Sequence, residues 1–385
     1  MDRISKLPLG IIETILCLLP IQEAARTSIL SREWRYHWTK IPKLVFIENK
    51  FRVATDRPEL SVSNKPSKRM KAAKRGKFFN AIYQVLLIHE GPIHEFTLDV
   101  EVDDSGVEID HILLHLSKKN TLKILKLDIT GDGYEGYVLP ISLFSLRQLT
   151  DLYLSDCALY HERSFNEFSC LTTLYLKNLS TYDSTLMRLL SSCPLLKRLT
   201  LDSDCATISE SGHTPIADLF KCLPVIESLS IAFSIVKCFF PERLPKELPT
   251  ALVHLKYLCM DGVSFSHIYG LPFLALLVRS SPNLEKLKLV MYEEYWLDED
   301  ERVSLTLEDY SDITLEHLNE FEIRRFMDTE HELDYVKLIL AKSPLLKKVS
   351  IFPGCKFDED EKSEILKILF CSPCAAPVEG ITFRF

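Results

Sequence analysis

Apolar residues recur along this chain in one spacing: an apolar residue, two others, a second apolar residue, one other, and a third. The spacing is met at Leu122, Leu125, Leu127; at Leu149, Leu152, Leu154; at Leu171, Leu174, Leu176; and at Leu196, Leu199, Leu201. It continues at Ile226, Leu229, Ile231; at Leu255, Leu258, Met260; and at Leu284, Leu287, Leu289. Two looser copies follow at Leu318, Phe321, Ile323 and at Leu346, Val349, Ile351. The last two apolar positions of each copy alternate with their neighbours, which predicts a short strand with one apolar face. Successive copies start 22 to 34 residues apart. A unit of that size cannot bury its apolar face alone, so the copies are expected to stack.

One copy, "LTDLYLSDCAL" at Leu149 to Leu159, extends to the full leucine-rich-repeat pattern, with Cys157 where that pattern takes Asn or Cys. Between the predicted strands lie helical stretches that run into a proline: "LMRLLSSCP" at Leu186 to Pro194, "FLALLVRSSP" at Phe273 to Pro282, and "VKLILAKSP" at Val336 to Pro344. Proline stops each helix and favours extended backbone before the next strand. The fold class that follows is α/β, an irregular solenoid with parallel strands on its concave face and helices on its convex face.

The opening segment breaks the pattern. In "LPLGIIETILCLLP" at Leu7 to Pro20, Ile12, Leu16 and Leu19 share one helical face, and Ile11, Ile15 and Leu18 an adjacent one. A module of about 40 residues rarely satisfies two such faces by itself, so one of them needs a partner. Further on, Ser31 is placed to cap a second helix that carries Trp34 and Trp38 one turn apart, with Arg35 beside them. Trp and Arg are common interface anchors. The alternative is that both tryptophans pack under the first repeat.

Composition supports repeats over a nucleotide-binding fold: leucine accounts for 62 of 385 residues and glycine for 12. The net charge of −8 includes a cluster of seven cations, Lys65, Lys68, Arg69, Lys71, Lys74, Arg75 and Lys77, so the rest of the chain is more acidic still. That balance disfavours general nucleic-acid binding. The cluster, "NKPSKRMKAAKRGK" at Asn64 to Lys77, reads as a solvated linker or loop, or as a nuclear-import signal. Eleven cysteines without framework spacing, no leader pattern and no long apolar run are expected of a chain in the cytoplasm, the nucleus or both, with no membrane span.

The order "LPLGIIETILCLLP", "AARTSILSREWRYHW", "IPKLVF" resembles an F-box over about Ile4 to Phe46. The resemblance implies binding to a Skp-family adaptor and, through it, a cullin-RING ubiquitin ligase. Leu7 and Pro8 match the leading Leu-Pro, Ile12, Ile15 and Leu16 the helical core, Leu19 and Pro20 the turn, and Ser31, Trp34, Arg35 and Trp38 the S-x-x-W-R-x-x-W part. These residues are the candidate adaptor-binding set. The whole chain resembles the plant F-box/FBD/leucine-rich-repeat family, with "FNAIYQVLLIHEGPIHEFTLDV" at Phe79 to Val100 between F-box and repeats and the FBD-like stretch at Leu318 to Phe352. The expected organisation is F-box at 1–46, basic linker and connecting helix at 47–92, repeats at 93–312, and an FBD-like region at 313–385 that continues and caps the solenoid.

A substrate receptor of this kind would take an unidentified protein on the strand residues that alternate with the leucines: Tyr153, Tyr175, Thr200, Ser230, Cys259, Lys288, Glu322 and Ser350. Its contribution would be proximity, with no catalytic residue, metal or cofactor of its own. A binding or inhibitory solenoid acting outside a ligase, its first helices serving only as a cap, is the alternative.

Other spellings carry less. "GDGYEG" at Gly131 to Gly136 has dinucleotide-fingerprint spacing, but Pro140 follows where a helix should run, which leaves a connecting loop. His111 and His115 lack a third ligand, and "CSPC" at Cys371 to Cys374 lacks a second pair. The acidic runs at Tyr292 to Glu301 and Asp358 to Glu361 read as solvated loops.

Overall fold

All three apolar positions in all nine copies are buried, none more than 2% exposed, in a computed structural model of the chain. It describes residues 7–32, 34–51, 68–102, 106–131, 136–160, 168–202, 208–209, 216–237, 245–265, 267, 270–292, 310, 312–375 and 380–383. The chain forms two compact units, Met1–Leu171 and Thr172–Phe385.

In the first unit, helices α1 (Leu9–Cys17) and α2 (Ile21–Arg26) are followed by two 3₁₀ segments, Thr27–Ile29 and Trp34–Lys40. Pro8 and Pro20 precede the two helices in extended conformation, where a missing N–H costs nothing. The expected second helix is the 3₁₀ segment, a correction with a local cause: Trp, Tyr, His and Thr are weak α-helix formers. Ser31 still caps it, its Oγ accepting from the Trp34 amide at 3.3 Å.

Strand β1 (Lys43–Ile47) then leads to α3 (Lys68–Ile88), β2 (Glu95–Val102), α4 (Val107–Lys119) and β3 (Ile124–Gly131). Strands β4 (Tyr137–Val138), β5 (Asp151–Ser155) and β6 (Cys157–Leu159) complete the unit. β1, β2, β3 and β5 pair in parallel, in that order. The parallel sheet thus begins inside the segment that resembles an F-box, at Lys43, and Leu44 and Phe46 are its first core residues.

The basic stretch departs from the expected linker. From Lys68 onward it is the first half of α3, built from good helix formers. Arg75 is buried rather than solvated, with Nε 3.5 Å from Glu48 and Nη2 3.8 Å from Glu101. The second half of α3 buries Phe78, Phe79, Ile82 and Leu86. Asn64 to Ser67 lie outside the described residues, as do Asp132 to Glu135 of "GDGYEG" and all but Tyr292 of the first acidic run. Gly136, at φ +70°, leads into β4 and not into a helix.

The second unit opens with β7 (Thr173–Lys177), β8 (Ser180–Tyr182), α5 (Asp183–Ser191), β9 (Arg198–Asp202), β10 (Ile208–Ser209) and α6 (Ile216–Lys221). It continues through β11 (Ser228–Ala232), α7 (Phe233–Lys237), β12 (Tyr257–Val263), α8 (Gly270–Arg279), β13 (Lys286–Met291) and β14 (Glu320–Phe326). It ends with α9 (Glu330–Lys342), β15 (Lys348–Pro353), α10 (Glu359–Cys371) and β16 (Gly380–Phe383). β7, β9, β11, β12, β13, β14, β15 and β16 pair in parallel in that order. The three helices expected before a proline are α5, α8 and α9.

A second regularity pins the register. One carbonyl before each strand accepts two successive amides from the next repeat: Thr172 from Lys197 and Arg198, Lys197 from Glu227 and Ser228, and so on to Asn319 from Lys347 and Lys348. The same ladder runs through Pro42, His94 and Lys123 in the first unit. Each repeat thereby satisfies its neighbour's backbone while the leucines bury, at about 1.5–3 kcal/mol per side chain.

Two helices near the end carry capping boxes. Asp358 caps α10 by accepting from the Glu361 amide at 2.8 Å, so "DEDE" is a helix start and not the expected loop; three acids in that first turn favour the helix dipole. At α9, Thr329 Oγ1 accepts from the Glu332 amide at 3.3 Å, and the buried Glu332 carboxylate accepts from the Thr329 and Met327 amides. Thr329→Ala is expected to cost about 1 kcal/mol, read as a lower urea midpoint at unchanged slope. An unchanged midpoint would mean that the cap contributes nothing.

Candidate functional site

The geometry of the opening helices sorts the candidate adaptor-binding residues into two groups. Ile12, Leu16 and Trp34 are 3% exposed or less and form, with Ile21, Ala24 and Ile41, the module's own core. Trp34 lies edge-on to His37 with ring centroids 5.9 Å apart. These three are therefore corrected from partner-facing to structural, because no partner can reach them without unfolding the module.

Leu7, Ser31 and Trp38 are half-buried, while Pro8, Ile15, Leu19, Pro20 and Arg35 are exposed. Around them stand exposed apolar residues outside the candidate set: Leu9, Ile11, Leu18, Ile29, Leu30 and Tyr36. Leu18 is 81% exposed and Ile29 87%. The signal for two of these six, Ile11 and Leu18, was present in the sequence, where they share one helical face with Ile15. Ile29 and Leu30 could not be read that way, since they sit in a short 3₁₀ turn without helical periodicity. The Arg35 guanidinium lies 5.9 Å from the Tyr36 ring centroid, which joins a cationic and an aromatic group at the edge of the strip. So large an apolar surface on so small a module is characteristic of an interaction site.

The second candidate surface is the strand face opposite the leucines. In the second unit one register row runs Tyr175, Thr200, Ser230, Cys259, Lys288, Glu322, Ser350 and Thr382. Tyr153 occupies the equivalent row of the first unit, after Val45, Thr97 and Lys126. Tyr153, Tyr175, Thr200, Ser230, Lys288 and Glu322 are half-buried and can offer part of their surface. Cys259 and Ser350 are buried and cannot, which corrects their placement.

Crowding along the row explains that burial. Burial pushes the Cys259 thiol up, against the opposing effect of its hydrogen bond with Ser230. Burial also pushes the Glu322 carboxyl up, but bonds from Arg324 at 2.6 Å and Lys288 at 3.3 Å outweigh it and hold the group below its ordinary value. The Arg324 guanidinium lies 4.6 Å from the Phe352 ring centroid. Lys126 sits 5.1 Å over the Tyr153 ring and 3.5 Å from Glu95. Charges on this face are thus largely compensated within it, and what is left to recognise a partner is aromatic and hydroxyl surface.

Elsewhere, His111 is exposed and His115 half-buried on α4. Cys371 and Cys374 are exposed thiols. Cys157, at the repeat's Asn or Cys position, is buried and bonds through Sγ to the Ser155 carbonyl at 3.2 Å. Burial pushes this thiol far up, so its role is structural.

Three family models match the chain in order. The F-box domain matches residues 4–46, the leucine-rich repeats described for "FBD-associated F-box protein At5g56370" match 110–212, and the FBD matches 314–351. Among curated relatives, F-box/FBD/LRR-repeat protein At1g13570 of Arabidopsis thaliana is 29% identical, over 99% of this chain and 98% of its own length. F-box/LRR-repeat protein At4g14096 from the same plant is 29% identical over 66% of this chain and 50% of its own. FBD-associated F-box protein At5g56370, also from Arabidopsis thaliana, is 31% identical over 53% of this chain and 44% of its own. With its helical module, parallel repeats and closing region in the same order, the chain is similar along its whole length to F-box/FBD/LRR-repeat proteins of Arabidopsis thaliana.

Proposed function

We propose that the protein is the substrate-recognition subunit of a Skp-cullin-F-box ubiquitin ligase. The observation that carries this reading is the apolar strip of the opening module, where Leu9, Ile11, Ile15, Ile29 and Leu30 are exposed. An adaptor of the Skp family would cover Leu7, Pro8, Leu9, Ile11, Ile15, Leu18 and Leu19, and the core of Ile12, Leu16 and Trp34 would hold them in place. The strand face around Tyr175, Thr200 and Ser230 of the second unit would take the target protein. Catalysis by such a subunit is proximity: the target's lysine is held near the charged ubiquitin carrier, which raises effective concentration without a bond-making residue here. The reading also places the protein in the cytoplasm or the nucleus, where exposed thiols such as Cys371 and Cys374 stay reduced.

The test is affinity for a purified Skp-family adaptor, measured by calorimetry on the unmodified chain and on an Ile11→Glu, Ile15→Glu double variant. Both residues are exposed, so the variant is expected to keep its circular dichroism spectrum and to bind about 30-fold more weakly or worse. Failure of the unmodified chain to bind would instead make it a free-standing recognition solenoid, with the opening helices as its cap.

A further inference from the structure

We propose that the first unit contains a binding site for an amphipathic monocarboxylate, a small molecule with one anionic end and an extended apolar body. A cavity of about 800 Å³ lies between the α1–α2 turn, β1 and the apolar half of α3. That is within the range of roughly 300–1,000 Å³ typical of small-molecule sites. Its wall is apolar and rich in rings, with Ile21, Trp38, Phe51, Phe78 and Val85 contributed by four separate segments. Such a wall favours an apolar body with several carbons of contact on each side.

Charge selects the other end of the ligand. Arg26, Lys43 and Lys50 line the cavity, and among the described residues no aspartate or glutamate does. Two of these cations are already shared with carboxylates outside the wall: Arg26 lies 2.5 Å from Glu23 and Lys43 lies 3.0 Å from Glu95. Lys50 makes no ion pair among the described residues, and its charge reaches the Asp99 carboxyl only through space. The surplus at the site is therefore about one positive charge, which suits a single carboxylate and not a polyphosphate. A carboxylate bridging Lys50 and Arg26 would gain charge-assisted hydrogen bonds while its body displaces water from the rings.

The site shares Leu18 and Leu19 with the proposed adaptor surface, but the two tests use different residues, since neither Ile11 nor Ile15 lines the cavity. Trp38 supplies an intrinsic reporter. The intact chain is titrated with dodecanoate and, separately, with 1-dodecanol, each below its aggregation threshold, while tryptophan emission is followed. Dodecanoate is expected to give a saturable change that is lost in Trp38→Phe, and dodecanol to bind at least about tenfold more weakly. In an Arg26→Ala, Lys50→Ala double variant, both exposed positions, that preference is expected to disappear with the fold intact by circular dichroism. No saturable response to dodecanoate, or equal affinity for the alcohol in the unmodified chain, overturns the proposal. So does binding that appears only after deletion of residues 52–67, the segment following Phe51, because the cavity would then belong to the chain itself.

Discussion

Trp34→Ala is expected to destabilise the opening module by about 3–5 kcal/mol, the cost of removing a buried indole from a core too small to close over the gap. Trp34 is 3% exposed, and its neighbours in that core are Ile12, Leu16, Ile21, Ala24 and Ile41. Six residues provide little redundancy, and a module of this size has only a few kcal/mol to lose. The substitution should therefore unfold α1 and α2 locally while the strands of the second unit persist. Native-state hydrogen exchange would show it as fast exchange of the amides between Ile12 and Ala24, with protection at β11 to β13 unchanged. Adaptor binding would be lost too, but for a different reason than in Ile11→Glu, Ile15→Glu, where exchange stays slow. Slow exchange at Ile12 to Ala24 in Trp34→Ala would show that the indole is not the keystone of the module.

How far the sequence could be read depended on how local each signal was. The nine apolar triplets were legible because alternation and period are both written in adjacent residues, and all of them are buried, with the last two positions of each on a strand as expected. The opening helix was legible as a helix, yet not as to which side faces inward, since it is apolar around most of its circumference. That choice is made by α2 and the Trp34 segment packing on Ile12 and Leu16, which is tertiary information. The basic stretch failed for the same reason: Arg75 is buried only because Glu48, just after β1, and Glu101 of β2 arrive from elsewhere in the chain, and charge density conceals that the helix continues to Phe78, Phe79 and Ile82. Cys259 and Ser350 were placed on the correct row by alternation, but alternation gives the side of the sheet and not the crowding on it. β1 and β16, at the ends of the pairing order, escaped although Ile41, Leu44, Phe46 and Val378, Ile381, Phe383 keep the same apolar spacing.

Phe321→Ala is expected to cost a similar 3–5 kcal/mol, and where that loss is felt decides what the FBD region is. Phe321 is 1% exposed, stands in register between Leu287 and Val349, and lies 6.4 Å from the Tyr335 ring of α9. The matched FBD residues, 314–351, contain β14 and α9 and end in β15, so they have the same strand, helix and strand order as the repeats before them. The Glu285 carbonyl also accepts the Asn319 and Glu320 amides, the same link that joins the earlier repeats of the second unit. Stability in such a stack is the sum of each repeat and its interfaces with neighbours. Loss of Phe321 should then lower protection against exchange in β13 and β12 as well as in β14 and β15, fading with distance. If instead protection fell only within 314–383 and stayed at its original level in β12 and β13, the FBD region would be an appended module that merely abuts the repeats. The continuous register and the shared carbonyl ladder argue for the graded outcome, in which this region is the last part of one repeat stack and its removal would leave the edge of β13 exposed.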